Sequence, residues 1–179
     1  MTTGCLNKKQ LSILGDAIDI AEDMTSNYFN LSLTQWQRHP FDVRTLSNFL
    51  DVNIKNNAFA ILKKYIPENN EEKGITYKDR EYFLIYLQDK QILKAIGRDK
   101  ELRLLPLLSY IIIHELVHIV RFCNFQARFD LQGEKSIVEE EKIVHQTTRE
   151  ILKDLSLPHL PYILGSYNPE KINMDVCVI

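Results

Sequence analysis

Residues 105–122 carry the feature that most limits what this chain can fold into. The middle of the segment reads Tyr110-Ile111-Ile112-Ile113-His114-Glu115-Leu116-Val117-His118-Ile119-Val120, with apolar residues on nearly every side. A helix that is apolar all round belongs in a core rather than on a surface. Pro106 suits its first turn, where the missing N–H costs nothing. Two histidines and a glutamate are then buried with the helix. Each neutral polar group left without a partner costs about 1–3 kcal/mol, and a carboxylate costs more. A bound cation relieves that cost most simply.

The spacing makes the same point. His114 and His118 are i and i+4, so their rings leave one helix face a turn apart and can converge on one ion. Glu115 stands beside the first histidine, placed to take a proton from water at that ion. This is the His-Glu-x-x-His pattern of zinc hydrolases. At this chain's histidine and glutamate frequencies it arises by chance in about one such chain in a hundred. The competing reading, a pair of core histidines hydrogen-bonded to backbone or carboxylates, needs that coincidence to fall in the most apolar helix.

Catalytic zinc takes three protein ligands plus water, so two histidines leave the site incomplete. A further helix is expected over 136–155, with Ser136 and Glu139 spaced as a capping box. Its apolar positions Ile137, Val138, Val144, Ile151 and Leu152 define an inward stripe. Glu141 and His145, again i and i+4, fall close to that stripe and Thr148 continues it, while Glu139, Glu140 and Lys142 lie nearer the flanks. The run Glu139-Glu140-Glu141 also fits a solvated face. Tyr110, one turn before His114, fits core packing better than oxyanion stabilisation. Arg121, one turn after His118, fits an ion pair with Glu139 or Glu140 better than a clamp on a substrate carboxylate.

On these residues the chain resembles the zincin superfamily, and more closely the branch whose third ligand is a glutamate on a following helix. The resemblance rests on His114-Glu115-Leu116-Val117-His118 and on Glu141, 22 intervening residues beyond His118. It implies that His114, His118 and Glu141 bind zinc and that Glu115 is the general base. The branch with a third histidine is excluded, because Arg121 and Asn124 stand where its glycine and histidine belong. Members of the resembled branch often carry an aspartate four residues after the ligand glutamate; here that position is His145. Three roles remain open for it: a fourth ligand, a hydrogen-bonding group behind a ligand, or a proton donor.

The remaining sequence sets the frame. A chain of 179 residues fits one domain, 1–179, with an irregular tail expected from about 156. A net charge of −2 provides no basic stripe for nucleic acid. Cys5, Cys123 and Cys177 show no paired spacing, so reduced thiols are expected. The first residues lack a signal-peptide core, and His114, Glu115 and His118 interrupt the longest apolar run, so a soluble cytoplasmic protein without membrane contact is expected. An amphipathic helix is predicted over 11–29, short helices over 41–50 and 58–65, and a polar loop over 67–74. A β-hairpin is predicted from Tyr82-Phe83-Leu84-Ile85-Tyr86-Leu87 through Gln88-Asp89-Lys90 into 91–96, with a helix over 91–96 as the competing reading.

The expected fold is mainly α (α+β): a helical domain around the buried metal helix, with one small hairpin. The expected function is a zinc-dependent, peptidase-like hydrolase acting on a peptide or small molecule. One alternative is a ferritin-like di-iron oxidoreductase, built on Glu115-x-x-His118 with Glu22 as a further inward carboxylate. The other is a non-catalytic metal-binding module in which His114, His118, Glu141 and His145 all ligate.

Overall fold

The computed structural model describes residues 4–38, 40–45, 58–65, 82–124, 126–127, 134–167 and 177–178. Helix α1, Lys8–Phe29, opens with a reciprocal cap: Asn7 accepts from the Gln10 backbone N–H at 3.0 Å, and the Gln10 side chain accepts from the Asn7 N–H at 2.9 Å. It closes on Asn30, whose left-handed backbone (φ 52°) suits an asparagine. Leu14, Ala17, Ala21 and Thr25 form its buried stripe, the 3.6-residue period that the sequence announces. A short helix α2, Leu33–Arg38, carries Trp36, whose indole N–H donates to Ser26 Oγ of α1.

A sheet follows. Strands β1 (Phe41–Thr45), β2 (Ala60–Tyr65) and β3 (Tyr82–Leu87) precede α3 (Asp89–Arg98), α4 (Leu104–Cys123), α5 (Glu134–Leu152), α6 (Leu160–Ser166) and the two-residue β4 (Cys177–Val178). The sheet order is β1-β3-β2-β4. β3 runs parallel to β1 and antiparallel to β2, and β4 runs parallel to β2. β3 is buried on both faces apart from Tyr82, which explains its unbroken apolar run. Phe83, Ile85 and Leu87 point into the core shared with α4.

Helix α4 is the axis of the molecule. Every residue from 106 to 120 is buried, and the helix packs against α1, α5, α6, β2 and β3. Its length and hydropathy would suit a membrane span, but it is enclosed by the protein itself. Pro106 lies in its first turn, as expected.

The mainly α (α+β) architecture stands, while several local expectations change. Residues 91–96 belong to α3 rather than to a hairpin arm, and β3 finds its antiparallel partner in β2. The Gln88 N–H donates to Phe59 C=O and ends the strand; Asp89 then places a carboxylate at the α3 N-terminus, where the helix dipole favours it. The stretches 41–45 and 60–65, expected as helices, are strands, because pairing with β3 outweighs the helix propensity of Ala60, Leu62, Lys63 and Lys64. Helix α5 begins at Glu134, so Ser136 sits inside its first turn and not at a cap, and Ile137 is exposed. The expected irregular tail holds α6, with Pro161 in its first turn and Leu160 and Ile163 buried. The loop over 67–74 and residues 46–50 lie outside the described residues.

Ala21 has no exposed surface on the α1 stripe, so a larger side chain must displace its neighbours. Ala21→Leu is expected to destabilise the fold by about 1–3 kcal/mol. Asp16→Ala, on the exposed side, should stay within about 0.5 kcal/mol. Urea denaturation midpoints of the two variants check both values.

Candidate metal centre

Helices α4 and α5 face each other along the line the sequence marks. His114, Glu115 and His118 are wholly buried on α4, and Glu140, Val144, His145 and Thr148 are buried on α5. Glu141 sits between the two helices with 14% of its side chain exposed. Its carboxylate is the focus of three rings: His114 Nε2 lies 3.2 Å from Oε2, His118 Nε2 3.1 Å from Oε1, and His145 Nε2 3.9 Å from Oε2. His114, Glu141 and His145 each offer a ligand atom, and these atoms lie within 4.8 Å of one another. The His114 and His118 ring centroids are 4.9 Å apart, and those of His114 and His145 4.5 Å.

The contacts are close, but among the described residues neither ring nitrogen of His114 or His118 meets hydrogen-bond geometry. Distance without alignment is the pattern expected of donor atoms gathered about a shared cation. The side chains fit such an ion by type as well, since imidazole and carboxylate are common ligands of zinc and iron. Glu115 is buried beside His114 and its charge acts on His118.

A second ring of groups stands behind these donors. Glu140 receives Arg121 in a fork, Nε to Oε1 and Nη2 to Oε2, both at 2.7 Å. The same Oε1 is 3.8 Å from His118 Nδ1. Tyr110 lies 1% exposed with its hydroxyl 2.6 Å from His145 Nδ1 and 3.3 Å from the Tyr167 carbonyl beyond α6. The sequence foresees the Arg121 ion pair but places Glu140 on a flank. Tyr110 is foreseen as core, although its place one turn before His114 already put it on the metal-facing side. The Tyr167 carbonyl has no sequence signal, because every residue has one. Glu22, the inward carboxylate of the di-iron alternative, is exposed on α1.

The electrostatics follow from this arrangement. Burial alone raises the Glu141 carboxyl, but its contacts with His114 and His118 hold it well below the usual carboxylate range. Burial also works to lower His118, yet Glu141, with help from Glu115 and Glu140, raises it above its ordinary value. His145 is pushed down to about 3, first by burial and then by the neighbouring His114. Burial raises the Tyr110 phenol, which stays protonated.

Comparison with protein families, characterised proteins and solved structures finds no match to this chain.

The raised His118 makes a proton the competitor of any cation at this place. Divalent-metal affinity should therefore increase as pH rises through neutrality, releasing protons on binding. The sign for stability is opposite in the metal-free chain. A histidine held above its unfolded value adds stability below about pH 6.5, and loses it as pH rises through the higher folded value. Thermal melts with chelator are expected to fall from about pH 6.5 upward, and zinc should remove that decline. Melting scans with and without zinc check it.

Proposed function

We propose that this chain is a metal-dependent hydrolase, with zinc as its ion and a peptide or other acyl compound as its substrate. His114, His118 and Glu141 hold the ion, and Glu115 is the general base. One observation carries the proposal: the Nε2 atoms of both α4 histidines lie 3.1–3.2 Å from one Glu141 carboxylate, inside the most buried part of the molecule. When bound, a divalent ion supplies Lewis acidity, polarising a carbonyl and lowering the pKa of water. The chain supplies the rest. Its apolar shell excludes bulk water and strengthens each charge interaction inside. Glu115, fixed in the middle of a rigid helix, holds a carboxylate beside the ligands, ready to accept a proton from water and pass it to the leaving group. Arg121 holds the Glu140 carboxylate in a fork behind His118.

One observation favours a second reading, a closed metal-binding module: His145 brings a fourth donor toward Glu141. A four-ligand site without exchangeable water stabilises a fold but performs no hydrolysis.

Metal analysis and turnover separate the readings. Chain purified without chelator should carry about one zinc. Glu115→Gln should retain that zinc and lose about 100- to 10,000-fold in turnover of a cleavable peptide from a library screen. Undiminished turnover by this variant removes Glu115 as the base. One tightly held zinc with no turnover of any library member supports the closed module.

A further inference from the structure

The three roles open to His145 differ in where its ring proton sits, and the two polar contacts of the Tyr110 hydroxyl bear on that place. The Tyr110 hydroxyl is 2.6 Å from His145 Nδ1 and 3.3 Å from the Tyr167 carbonyl, a group that can only accept. A hydroxyl has one hydrogen to give. With that hydrogen directed at the carbonyl, the short contact to Nδ1 requires the ring to donate: Nδ1–H to the Tyr110 oxygen. A neutral imidazole protonated at Nδ1 carries its lone pair on Nε2. Nε2 is the atom turned toward the Glu141 carboxylate, 3.9 Å away.

We infer that Tyr110 is a positioning residue that holds His145 in the Nδ1–H form, so that His145 serves the centre as a ligand through Nε2 and not as a proton donor. The inference rests on the metal-centre reading above and deepens it. A carbonyl is the right anchor for this relay. It has no proton of its own to donate, so the direction of the Tyr110 hydroxyl cannot be reversed from that side. The Tyr110 and Tyr167 rings, 5.6 Å apart between centroids, keep the phenol in place, and Arg149 ties the end of α5 to the Leu164 carbonyl of α6. His118 has a parallel arrangement. Its Nε2 faces Glu141 while Nδ1 looks back at Glu140, itself held by Arg121. On both rings, then, the outer nitrogen faces a supporting group and the inner nitrogen faces the shared carboxylate. Donation of a ring N–H to an outer group fixes a ligand's orientation and raises its basicity.

The consequence is that His145 joins His114 and Glu141, whose ligand atoms all lie within 4.8 Å of one another, as a donor. Tyr110 thereby governs how much of the ion remains for water or substrate. Were a metal bound, His145 would compete with water or substrate for a place on it.

The test uses the whole chain with isotope-labelled histidine, freed of metal by chelator, and reads each ring by long-range proton–nitrogen correlation. His145→Gln identifies the His145 signals. His145 is expected to be protonated at Nδ1. Tyr110→Phe, which keeps the ring and removes the hydroxyl, should shift it toward the Nε2–H form and weaken zinc about 10- to 100-fold in a chelator-competition titration. Protonation at Nε2 in the unaltered chain overturns the assignment even where zinc binds tightly. That measurement needs no variant, so misfolding of Tyr110→Phe leaves the test intact. An unchanged tautomer and zinc affinity in folded Tyr110→Phe would remove Tyr110 from its positioning role. Failure of the unaltered chain to bind zinc at any pH overturns the metal-centre reading as well, and so is distinguished from a wrong tautomer.

Discussion

Three polar side chains, His114, Glu115 and His118, lie at zero exposure in the middle of the most apolar helix of the protein, and the other elements are arranged around that fact. A buried ionisable group unsupported by its surroundings is expensive, by several kcal/mol for a charge. Helix α5 answers with Glu141 and His145 from one side. Helix α1 and the inner face of the sheet supply the apolar enclosure. Packing and chemistry are coupled here: the better the enclosure excludes water, the stronger the interaction of Glu141 with anything positive, whether a proton or a metal ion.

In the absence of an ion, three imidazoles share one carboxylate, and they do not share it equally. His118 is raised and His145 is pushed down to about 3, although both rings turn Nε2 toward Glu141. Geometry accounts for the split. His118 touches Oε1 at 3.1 Å and also has the charges of Glu115 and Glu140 near it. His145 stands at 3.9 Å, and His114 opposes any charge it gains. One proton thus has a preferred place, between His118 and Glu141, and the His145 ring stays neutral. A divalent cation entering the same space competes with that proton for the Glu141 carboxylate.

The parts of this arrangement that the sequence made legible are those written in local period. The α1 stripe of Leu14, Ala17 and Ala21, the all-round apolar α4, and the i, i+4 pairs His114/His118 and Glu141/His145 each announce a helix face within one or two turns. Strand β3 was legible from its β-branched and aromatic run, but β1 and β2 were not, for the opposite reason. Ala60-Ile61-Leu62-Lys63-Lys64-Tyr65 is a good local helix former, and only pairing with Tyr82–Leu87 makes it a strand. Glu140 illustrates the same limit at the scale of a single side chain. Four residues before Val144, it lies on the buried stripe that Glu139 misses, but its pairing with Arg121 is decided across two helices. The Tyr167 carbonyl depends wholly on where α6 ends, so no residue pattern could signal it.

Whether such a centre works as a catalyst turns on coordination number more than on the identity of its ligands. On the proposed reading, the His-Glu-x-x-His spacing would provide two nitrogens and a base, and Glu141 would add a third donor beside one position for water. His145 alters that count, since its neutral, inward Nε2 is suited to coordination and poorly suited to protonating a leaving group. Zinc can expand to five neighbours, which reconciles four protein donors with a reactive position. A rigid four-donor cage prevents that expansion. The distinction therefore lies in the freedom of one ring. His145 is approached on its outer nitrogen by a phenol anchored to backbone, not by a charged group, and it stands farther from Glu141 than either α4 histidine does. On the proposed reading, a ring held by a neutral hydrogen bond would be the donor most able to yield its place.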